Sequence, residues 1–334
     1  MFRVSYTTIA AASAAVLFGG AVAADPLPTF NVDRSQTSVS GLSSGAFMAV
    51  QFHTAYSADI MGAGVVAGGP YNCAYVNLGG IETCTRGLPR PIGSASAASA
   101  KEFAARKDID STKDLRRSRV YIFSGTKDTV IAPAVVEETY NYYKAVGVPD
   151  SNIQYVHNVP AGHAFIAPSW GNDCGVNASP YINHCTVDGA PYDQAGAILT
   201  QIYGPLNAPA GAPAGRLVSF EQKPFGDSGM GDNGFLYVPP SCDHGETCRI
   251  HVAFHGCKQT FQDIRDQYYT DTGYNRWADT NHILVLYPQA ATDLLGNPEH
   301  CWDWWGYTGL RFNVKVAPQM SAVEKMIDHL ARGL

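Results

Sequence analysis

Residues 37–50 read Thr-Ser-Val-Ser-Gly-Leu-Ser-Ser-Gly-Ala-Phe-Met-Ala-Val, and the sequence pattern changes within this stretch from that of a strand to that of a helix. The first four residues are β-prone, whereas residues 46–56 place apolar side chains at helical spacing. Between these segments, Gly41 and Gly45 flank Ser43 in a G-x-S-x-G pentapeptide. A serine on a strained strand-to-helix turn needs small residues two positions before and after it, because strand and helix pass close together there. The stretch therefore predicts a strand, a tight turn that presents the Ser43 hydroxyl, and a helix, with an ordinary Gly/Ser turn as the alternative.

The rest of the chain continues this alternation of strands and helices. Further strands are predicted at 65–67, 119–123, 153–156, 234–238, 249–254 and 283–287. Helices are predicted from just after Pro133 to near Gly147 and at 318–330. Such alternation predicts an α/β protein with a mostly parallel central sheet and helices on both faces, as in the α/β-hydrolase fold. Residues 208–215 are rich in Ala, Pro and Gly and form a predicted surface loop. We expect the segments on either side of this loop to complete one sheet.

The N-terminal residues have the features of a secretory signal. Arg3 provides a positive start, an apolar run extends to about Val22, and residues 21–23 fit the small-x-small cleavage rule. A membrane anchor is the alternative, but the run is short and no basic cluster follows it. We therefore expect residues 1–23 to be a signal peptide removed on export. Residues 24–334 are expected to form a single domain with no separate substrate-binding domain.

The cysteine count agrees with export to an oxidising compartment. Pairing of sequence neighbours among the eight cysteines gives Cys73–Cys84, Cys174–Cys185, Cys242–Cys248 and Cys257–Cys301, although the sequence leaves the connectivity open. No C-x-x-C or paired ligand spacing favours a metal site, so no metal or other cofactor is expected. The formal net charge of −6 argues against a nucleic-acid partner, which would require a basic surface.

Asp128 and His163 are the candidates to activate Ser43. A serine hydroxyl becomes an effective nucleophile when a base takes its proton and a carboxylate orients that base. In this fold class the acid and the base follow the serine in that order, on loops after later strands. Asp128 lies just beyond the strand predicted at 119–123, and His163 follows the next strand in a Gly-containing loop. A turn-forming aspartate and a loop histidine are the alternatives. His157 is the competing base, but we expect it to belong to the strand that begins at Ile153.

Attack of a serine on a carbonyl carbon gives a tetrahedral intermediate, whose oxyanion requires two N–H donors. The residue after the nucleophile, here Ser44, normally supplies one, and a loop marked by His-Gly often supplies the other. Too little chain precedes Ser43 for such a loop, but residues 255–257 (His-Gly-Cys) follow the strand predicted at 249–254. We therefore assign the second donor to the backbone N–H of Cys257 and a loop-shaping role to the histidine before it.

This downstream position of the oxyanion loop indicates a circular permutation. The closing helix at 318–330 would ordinarily lead through a turn into the strand before Ser43, and residues 31–34 resemble that turn. Joining the two ends of the chain would restore the usual strand order, and compact domains with neighbouring termini tolerate such a rearrangement.

Residues 226–229 (Gly-Asp-Ser-Gly) match the sequence around the serine of chymotrypsin-like proteases. Those enzymes have the chain order His, Asp, Ser on a β-barrel, whereas this chain alternates strands and helices. We interpret the motif as a polar turn before the strand predicted at 234–238.

Taken together, the motifs resemble those of short-chain-length polyhydroxyalkanoate depolymerases with a permuted catalytic domain. The resemblance rests on Ser-Gly-Leu-Ser43-Ser44-Gly-Ala-Phe-Met-Ala, Gly-Thr-Lys-Asp128, Ala-Gly-His163-Ala-Phe and Phe-His-Gly-Cys257-Lys-Gln, which span nearly all of the mature chain. It implies a secreted serine esterase, periplasmic or extracellular, that hydrolyses poly(3-hydroxybutyrate) or its oligomers through an acyl-enzyme. Ser43, Asp128 and His163 would form the triad, and Ser44 with Cys257 the oxyanion hole.

The resemblance leaves the substrate form and two other functions open. Many extracellular members carry a linker and a domain that adsorbs to crystalline polymer, whereas this sequence ends soon after the helix predicted at 318–330. We therefore expect activity on amorphous polymer or soluble oligomers. The protein is also expected to be a monomer. The alternatives are another exported serine esterase, such as a feruloyl or acetyl-sugar esterase, and a binding protein that retains the fold without catalysis.

Residues 301–307 (Cys-Trp-Asp-Trp-Trp-Gly-Tyr) are the predicted polymer-contacting surface. Trp302, Trp304 and Trp305 are the candidates for substrate contact, with burial in the core as the alternative. A Cys257–Cys301 disulfide would hold this segment beside the oxyanion loop. No stretch after the signal peptide is long and apolar enough to predict an integral membrane segment.

Overall fold

The computed structural model describes residues 25–293 and 295–333. The predicted signal peptide at 1–23 lies outside these residues. Within the parts that are described, no helix combines the length and the apolar character needed to cross a bilayer.

The strands are numbered in chain order. They are β1 (Val32–Leu42), β2 (Ile60–Val66), β3 (Arg119–Phe123), β4 (Ile153–Val156), β5 (Phe165–Ala167), β6 (Asn172–Asp173), β7 (Ile182–His184), β8 (Thr186–Val187), β9 (Ala190–Pro191), β10 (Arg216–Glu221), β11 (Asn233–Val238), β12 (Cys248–Phe254) and β13 (Ile283–Tyr287).

The helices are numbered in the same way. They are α1 (Ser44–Ala55), α2 (Cys73–Val76), α3 (Gly80–Arg86), α4 (Gly93–Ala105), α5 (Pro133–Val146), α6 (Gln194–Tyr203), α7 (Pro240–Asp243), α8 (Phe261–Ile264), α9 (Gln267–Asp271), α10 (Tyr274–Asn281) and α11 (Pro318–Leu330), with short 3₁₀ helices at Asp114–Arg117 and Asp150–Asn152.

The main sheet has eight strands in the order β10-β11-β13-β12-β1-β2-β3-β4. Every neighbouring pair is parallel except the two that involve β11, which runs against both β10 and β13. The loop at 208–215 divides the chain into two halves, and each half contributes four adjacent strands. The halves meet where β1 pairs with β12. This mostly parallel sheet with helices on its faces is the predicted α/β-hydrolase fold.

The central strands have the composition expected of strands buried on both faces. β13 reads Ile-Leu-Val-Leu-Tyr and is buried throughout, and β3 is buried from its second residue onward. Branched and aromatic side chains favour extended backbone, and continuous apolar runs occur where helices cover both faces of a parallel sheet. The helix after Ser43 is enclosed in the same way, because every residue of α1 is buried. The nucleophile turn therefore lies on a rigid core.

The two ends of the described chain meet beside β1. The backbone N–H of Phe30 donates to the carbonyl of Leu330, at the end of α11, over 2.7 Å. This proximity is the arrangement that a circular permutation requires. The expectation of a turn at 31–34 is wrong, however, because β1 already begins at Val32 and its pairing with β12 contains a register shift before Thr37. The irregular pairing explains why this segment does not read as a strand.

All eight cysteines are paired, and the partners are the sequence neighbours. The bonds are Cys73–Cys84, Cys174–Cys185, Cys242–Cys248 and Cys257–Cys301. The last of these joins the loop after β12 to the aromatic segment at 301–307. Both loops are therefore held together at the edge of the sheet where its parallel strands end.

Candidate active site

Ser43 occupies the strained turn that the pentapeptide predicts. Its backbone has φ 56° and ψ −122°, in a region that non-glycine residues rarely adopt. A Cβ atom on Gly41 would lie 2.3 Å from the backbone of Gly45, and one on Gly45 would lie 2.3 Å from the carbonyl oxygens of Phe254 and His255. The small residues are required because β1, α1 and β12 approach one another at this point.

The acid and base loops open at the same edge of the sheet as Ser43. The N–H of Ser43 donates to the carbonyl of Val66, the last residue of β2, and the N–H of Ser124 donates to the carbonyl of Val156, the last residue of β4. The carboxyl ends of the parallel strands are thereby aligned. The loops after β1, β3 and β4 therefore converge at this edge of the sheet, which is where α/β folds place their sites.

Asp128 and His163 are in direct contact. The Nδ1 atom of His163 lies 2.8 Å from Oδ2 of Asp128, and the two side chains are 5% and 1% exposed. The Oδ1 atom of Asp128 accepts hydrogen bonds from the backbone N–H groups of Val130 and Ile131 at 2.8 and 2.9 Å. The aspartate therefore shapes its own turn with one oxygen and holds the imidazole with the other.

The Ser43 hydroxyl and the His163 ring are positioned at the same mouth without a hydrogen bond between them in the described chain. The hydrogen bond from Nδ1 to Asp128 leaves Nε2 of His163 as the nitrogen available to a serine. Hydrogen bonds of this kind are commonly long without substrate and tighten when substrate binds.

The backbone N–H groups of Ser44 and Cys257 are both unpaired among the residues described. Ser44 is the first residue of α1, where backbone N–H groups have no partner within the helix and favour negative charge. Gly256 packs against the nucleophile so closely that an added Cβ would be 3.4 Å from Cβ of Ser43. The loop after β12 therefore passes directly beside the nucleophile at Gly256, the residue before Cys257.

His255 stabilises the shape of this loop and is not available as a base. Its Nε2 accepts the N–H of Ala290 at 3.1 Å, so Nδ1 carries the proton and donates to the carbonyl of Gly256 at 2.7 Å. Burial lowers the pKa of His255 to about 4. The loop-shaping role predicted for this residue agrees with these contacts.

His157 lies outside the site. β4 ends at Val156, so the expectation that His157 is inside the strand is wrong. Its ring is exposed and stacks on Tyr155 with ring centroids 4.6 Å apart. Exposure on the rim of the sheet excludes it as the partner of a buried serine. Residues 226–229, the second serine motif, form loop and turn before β11, as predicted.

Trp302 is a packing residue in this structure. It is fully buried, with its ring centroid 5.0 Å from that of Phe254 and 5.4 Å from that of His255. This burial removes it from the surface, contrary to the substrate role predicted for it. The ring instead packs against the end of β12 and the first residue of the loop that follows it.

Trp304 and Trp305 form a series of aromatic contacts that begins at α1, the helix after Ser43, and reaches the surface. Trp304 is 5% exposed and stacks on Phe47 of α1 with centroids 4.1 Å apart. Trp305 is half-buried and meets Trp304 edge-on, with ring centroids 5.3 Å apart. Its ring centroid is 5.0 Å from that of Tyr307. Of the three predicted tryptophans, Trp305 is the one most accessible to a ligand.

Asp303 orders the segment that carries these rings, a role that the sequence motifs did not predict. Its buried carboxylate accepts hydrogen bonds from the backbone N–H groups of residues 305–308 and from the Thr308 hydroxyl. Its own N–H donates to Gln319 of α11, and its carbonyl accepts from Gln51 of α1. Asp303 therefore connects the 301–307 segment to both α1 and α11.

The fold and the geometry of this site define a serine hydrolase of the α/β class. Comparison with known proteins narrows this class. A poly(3-hydroxybutyrate) depolymerase of Delftia acidovorans is 42% identical over 341 residues, covering 98% of this chain and 67% of that protein. A polyhydroxybutyrate depolymerase of Talaromyces funiculosus is 40% identical over 333 residues, covering 93% of this chain and 94% of that protein.

Solved structures agree with these sequence relationships. The crystal structure of a PHB depolymerase from Penicillium funiculosum matches 93% of this chain and 100% of its own with a TM-score of 0.86 at 36% identity. A serine-to-alanine variant of a PHB depolymerase in complex with an R3HB trimer matches with the same values. No protein-family model matches the chain. The chain belongs to the poly(3-hydroxybutyrate) depolymerase family.

Proposed function

We propose that this protein is an exported serine esterase that hydrolyses poly(3-hydroxybutyrate) or its oligomers. The main support is that a chain 40–42% identical to named depolymerases over nearly its whole length presents a strained serine at the same edge of the sheet as a buried Asp–His pair. The proposed nucleophile is Ser43, the base is His163 and the orienting acid is Asp128. The similarity to named polyester depolymerases favours this function over that of a feruloyl or acetyl-sugar esterase.

In the proposed reaction, Nε2 of His163 takes the proton of the Ser43 hydroxyl while Oγ bonds to the ester carbonyl carbon. The carbonyl electron pair moves to oxygen, and the N–H groups of Ser44 and Cys257 stabilise the resulting oxyanion. When the intermediate collapses, the ester C–O bond breaks and His163 gives its proton to the leaving alkoxide, which becomes the hydroxyl end of one fragment. Water then attacks the acyl-enzyme in the same way, releasing a carboxylic acid and regenerating the serine.

Trp305 is the proposed substrate contact. Its half-buried ring lies at the end of an aromatic series that begins at Phe47, four residues after the nucleophile. The methyl and methylene groups of a short-chain polyester pack well on such a face, and the ester groups remain free to reach the serine. We propose amorphous polymer or soluble oligomers as the form that binds there.

Export to the periplasm or the surrounding medium is also part of the proposal. Four disulfides support it, because such bonds persist in oxidising compartments. We propose that the mature chain, residues 24–334, acts as a monomer. Fractionation of producing cells and sedimentation of the purified protein test these two points.

The proposed function is tested by incubating the purified mature chain with amorphous poly(3-hydroxybutyrate) granules. Soluble 3-hydroxybutyrate products should appear, whereas a folded Ser43→Ala variant should release none. Parallel assays use feruloyl and acetylated-sugar esters. Hydrolysis of those esters alone would overturn the polyester assignment, and no hydrolysis of any ester would favour a binding protein.

A further inference from the structure

Two amide side chains, those of Asn177 and Gln259, connect the three loops that carry the proposed catalytic groups. Asn177 lies between β6 and β7, and Gln259 follows the oxyanion loop. Neither residue belongs to the proposed triad or supplies an oxyanion donor. Asn177 forms hydrogen bonds to the acid loop and the base loop, and Gln259 forms them to the oxyanion loop and to the segment between β6 and β7.

Asn177 connects the acid loop to the base loop. Its Oδ1 accepts the backbone N–H of His163 at 2.7 Å and that of Thr129 at 3.1 Å. Its Nδ2 donates to the carbonyl of Lys127 at 3.0 Å. Because Lys127 and Thr129 flank Asp128, one side chain holds the backbone on both sides of the acid and the backbone of the base.

Gln259 connects the oxyanion loop to Pro180 and Tyr181, which lie just before β7. It is 1% exposed, and its Oε1 accepts the N–H of Gly256 at 2.7 Å. Its Nε2 donates to the carbonyls of Pro180 and Tyr181 at 2.8 and 3.2 Å. An N–H group donates and a carbonyl accepts, so only one orientation of the amide satisfies all three partners.

Tyr181 extends this connection to His163. Its carbonyl also accepts the N–H of Phe165, two residues after the base, at 2.9 Å, and its ring meets the His163 ring edge-on at 6.0 Å. Tyr181 has φ 56°, a left-handed conformation that a tyrosine adopts only where its surroundings enforce it. Gln259 therefore helps to hold a strained residue against the base.

We propose that Asn177 and Gln259 are positioning residues that set the separations between Asp128, His163 and the Cys257 N–H. This inference rests on the triad and oxyanion assignments of the proposed function. Neither amide reaches a reacting atom, so each acts only through the groups that it positions. Asn177 maintains the acid–base contact, and Gln259 maintains the oxyanion donor relative to the base and the nucleophile.

The connection through Gly256 indicates how Gln259 would affect catalysis. A Cβ added to Gly256 would be 2.9 Å from Oε1 of Gln259 and 3.4 Å from Cβ of Ser43, so this glycine fits between the two side chains. When Gln259 is lost, Gly256 loses the partner of its N–H, and the peptide group that carries the Cys257 N–H keeps only the hydrogen bond from His255 to the Gly256 carbonyl to orient it. Misplacement of a catalytic group by about 1 Å costs on the order of 100-fold in rate.

Gln259→Met tests the oxyanion connection, because it keeps the length of the side chain and removes both hydrogen-bonding groups. With soluble nitrophenyl butyrate, kcat should fall roughly 10- to 100-fold and KM should change less than about twofold. Affinity for an alkylboronic acid, which forms a tetrahedral adduct with the serine, should fall by the same factor as kcat. Gln259→Glu cannot donate to the Pro180 and Tyr181 carbonyls when ionised, so it should show the same loss and serves if the methionine variant fails to fold.

Asn177→Ala tests the acid–base connection in a double-mutant cycle with Asp128→Asn. Both substitutions weaken the same contact between Asp128 and His163. In the Asp128→Asn background, Asn177→Ala should therefore slow fluorophosphonate acylation of Ser43 by less than about threefold. Gln259→Met should instead retain its full effect in the Asp128→Asn background, because it acts on the oxyanion donor. Asn177→Ser provides a second variant if the alanine does not fold.

Asn281→Ala is the matched control for the loss of a buried amide. Its side chain also joins separate backbone groups, those of Asn207 and Trp277, but at the opposite edge of the sheet. It should lower thermal stability and leave kcat within about twofold. If Gln259→Met lowers kcat no more than the control does, the role of Gln259 is overturned. If the rate losses of Asn177→Ala and Asp128→Asn multiply fully in the double variant, the role of Asn177 is overturned. Hydrolysis by Ser43→Ala would instead disprove the triad itself.

Discussion

The Nδ1 atom of His163 lies 2.8 Å from Oδ2 of Asp128, and both side chains are almost completely removed from solvent. The second carboxylate oxygen is held by the backbone N–H groups of Val130 and Ile131. The carboxylate is therefore fixed in place before substrate arrives. It presents a single acceptor to the imidazole, which keeps Nε2 free for a serine proton.

Asp128→Asn should lower kcat for a soluble ester by roughly 10³- to 10⁴-fold, because an amide no longer holds the tautomer in which Nε2 is a base. The fold should survive, since the replacement has the same shape. Asp173→Asn is the control, because that carboxylate is 92% exposed and should leave the rate unchanged. A kcat within tenfold of the wild type for Asp128→Asn would remove the aspartate from the mechanism.

Gly45→Ala should destabilise the protein by about 3 kcal/mol or more, because the new methyl group would overlap the carbonyl oxygens of Phe254 and His255. Gly211→Ala is the matched control, since a Cβ there meets nothing within 4 Å. Urea unfolding followed by circular dichroism compares the two. Equal unfolding midpoints would show that the elbow does not require a glycine.

Trp305→Ala should reduce product release from amorphous polymer by roughly tenfold, because the apolar face proposed to hold the chain is lost. Hydrolysis of soluble nitrophenyl butyrate should change much less. Trp170→Ala removes another half-buried tryptophan outside the 301–307 segment and controls for general loss of packing. An equal loss on both substrates would assign Trp305 to structure and not to polymer contact.

Buried histidines should make the folded state sensitive to acid. Burial lowers the pKa of His53 and His251 to about 3 and that of His255 to about 4, from an ordinary value of 6.5. Below pH 6.5 the unfolded chain therefore binds protons that the folded chain does not, and the free energy of unfolding falls as the pH falls. Burial raises the pKa of Glu324 to about 7, which offsets one of these protons between pH 4.5 and 7. The net slope near pH 5 should be roughly 3 kcal/mol per pH unit.

His53→Gln tests this linkage without touching the site. The His53 ring bridges the hydroxyls of Tyr143 and Ser118, both away from the nucleophile. The variant lacks one of the protons taken up on unfolding, so its slope should be smaller by roughly 1.4 kcal/mol per pH unit. Urea unfolding at pH 6.5, 5.5 and 4.5 measures it, and an unchanged slope would contradict the account.

Much of the site was predictable because local backbone chemistry determines it. The flanking glycines of Ser43 reflect a close approach of strands and helix, and short apolar runs such as β13 are buried on both faces. Asp128 and His163 follow strand ends, and parallel strands bring such ends together. The neighbour pairing of the cysteines also agrees with the structure. These features depend on short stretches of chain.

The features that the sequence did not predict correctly depend on contacts between distant segments. Because the pairing of β1 with β12 is irregular near its start, residues 31–34 resemble a turn in the sequence. β10 was not predicted because it is an edge strand of mixed polarity. Trp302 is buried because the Cys301 loop folds back on the core, which no spacing rule reveals. Asn177 and Gln259 were not predictable, because an amide side chain that joins two segments leaves no periodic pattern in the sequence.

The most direct test of the account is the site at which a fluorophosphonate reacts with the folded protein. Mass spectrometry of the digested adduct should find one label, on the peptide that contains Ser43, and the Ser43→Ala variant should remain unlabelled and release no 3-hydroxybutyrate from amorphous polymer. A label on a different residue, or continued release by that variant, would contradict the claim that Ser43 is the nucleophile.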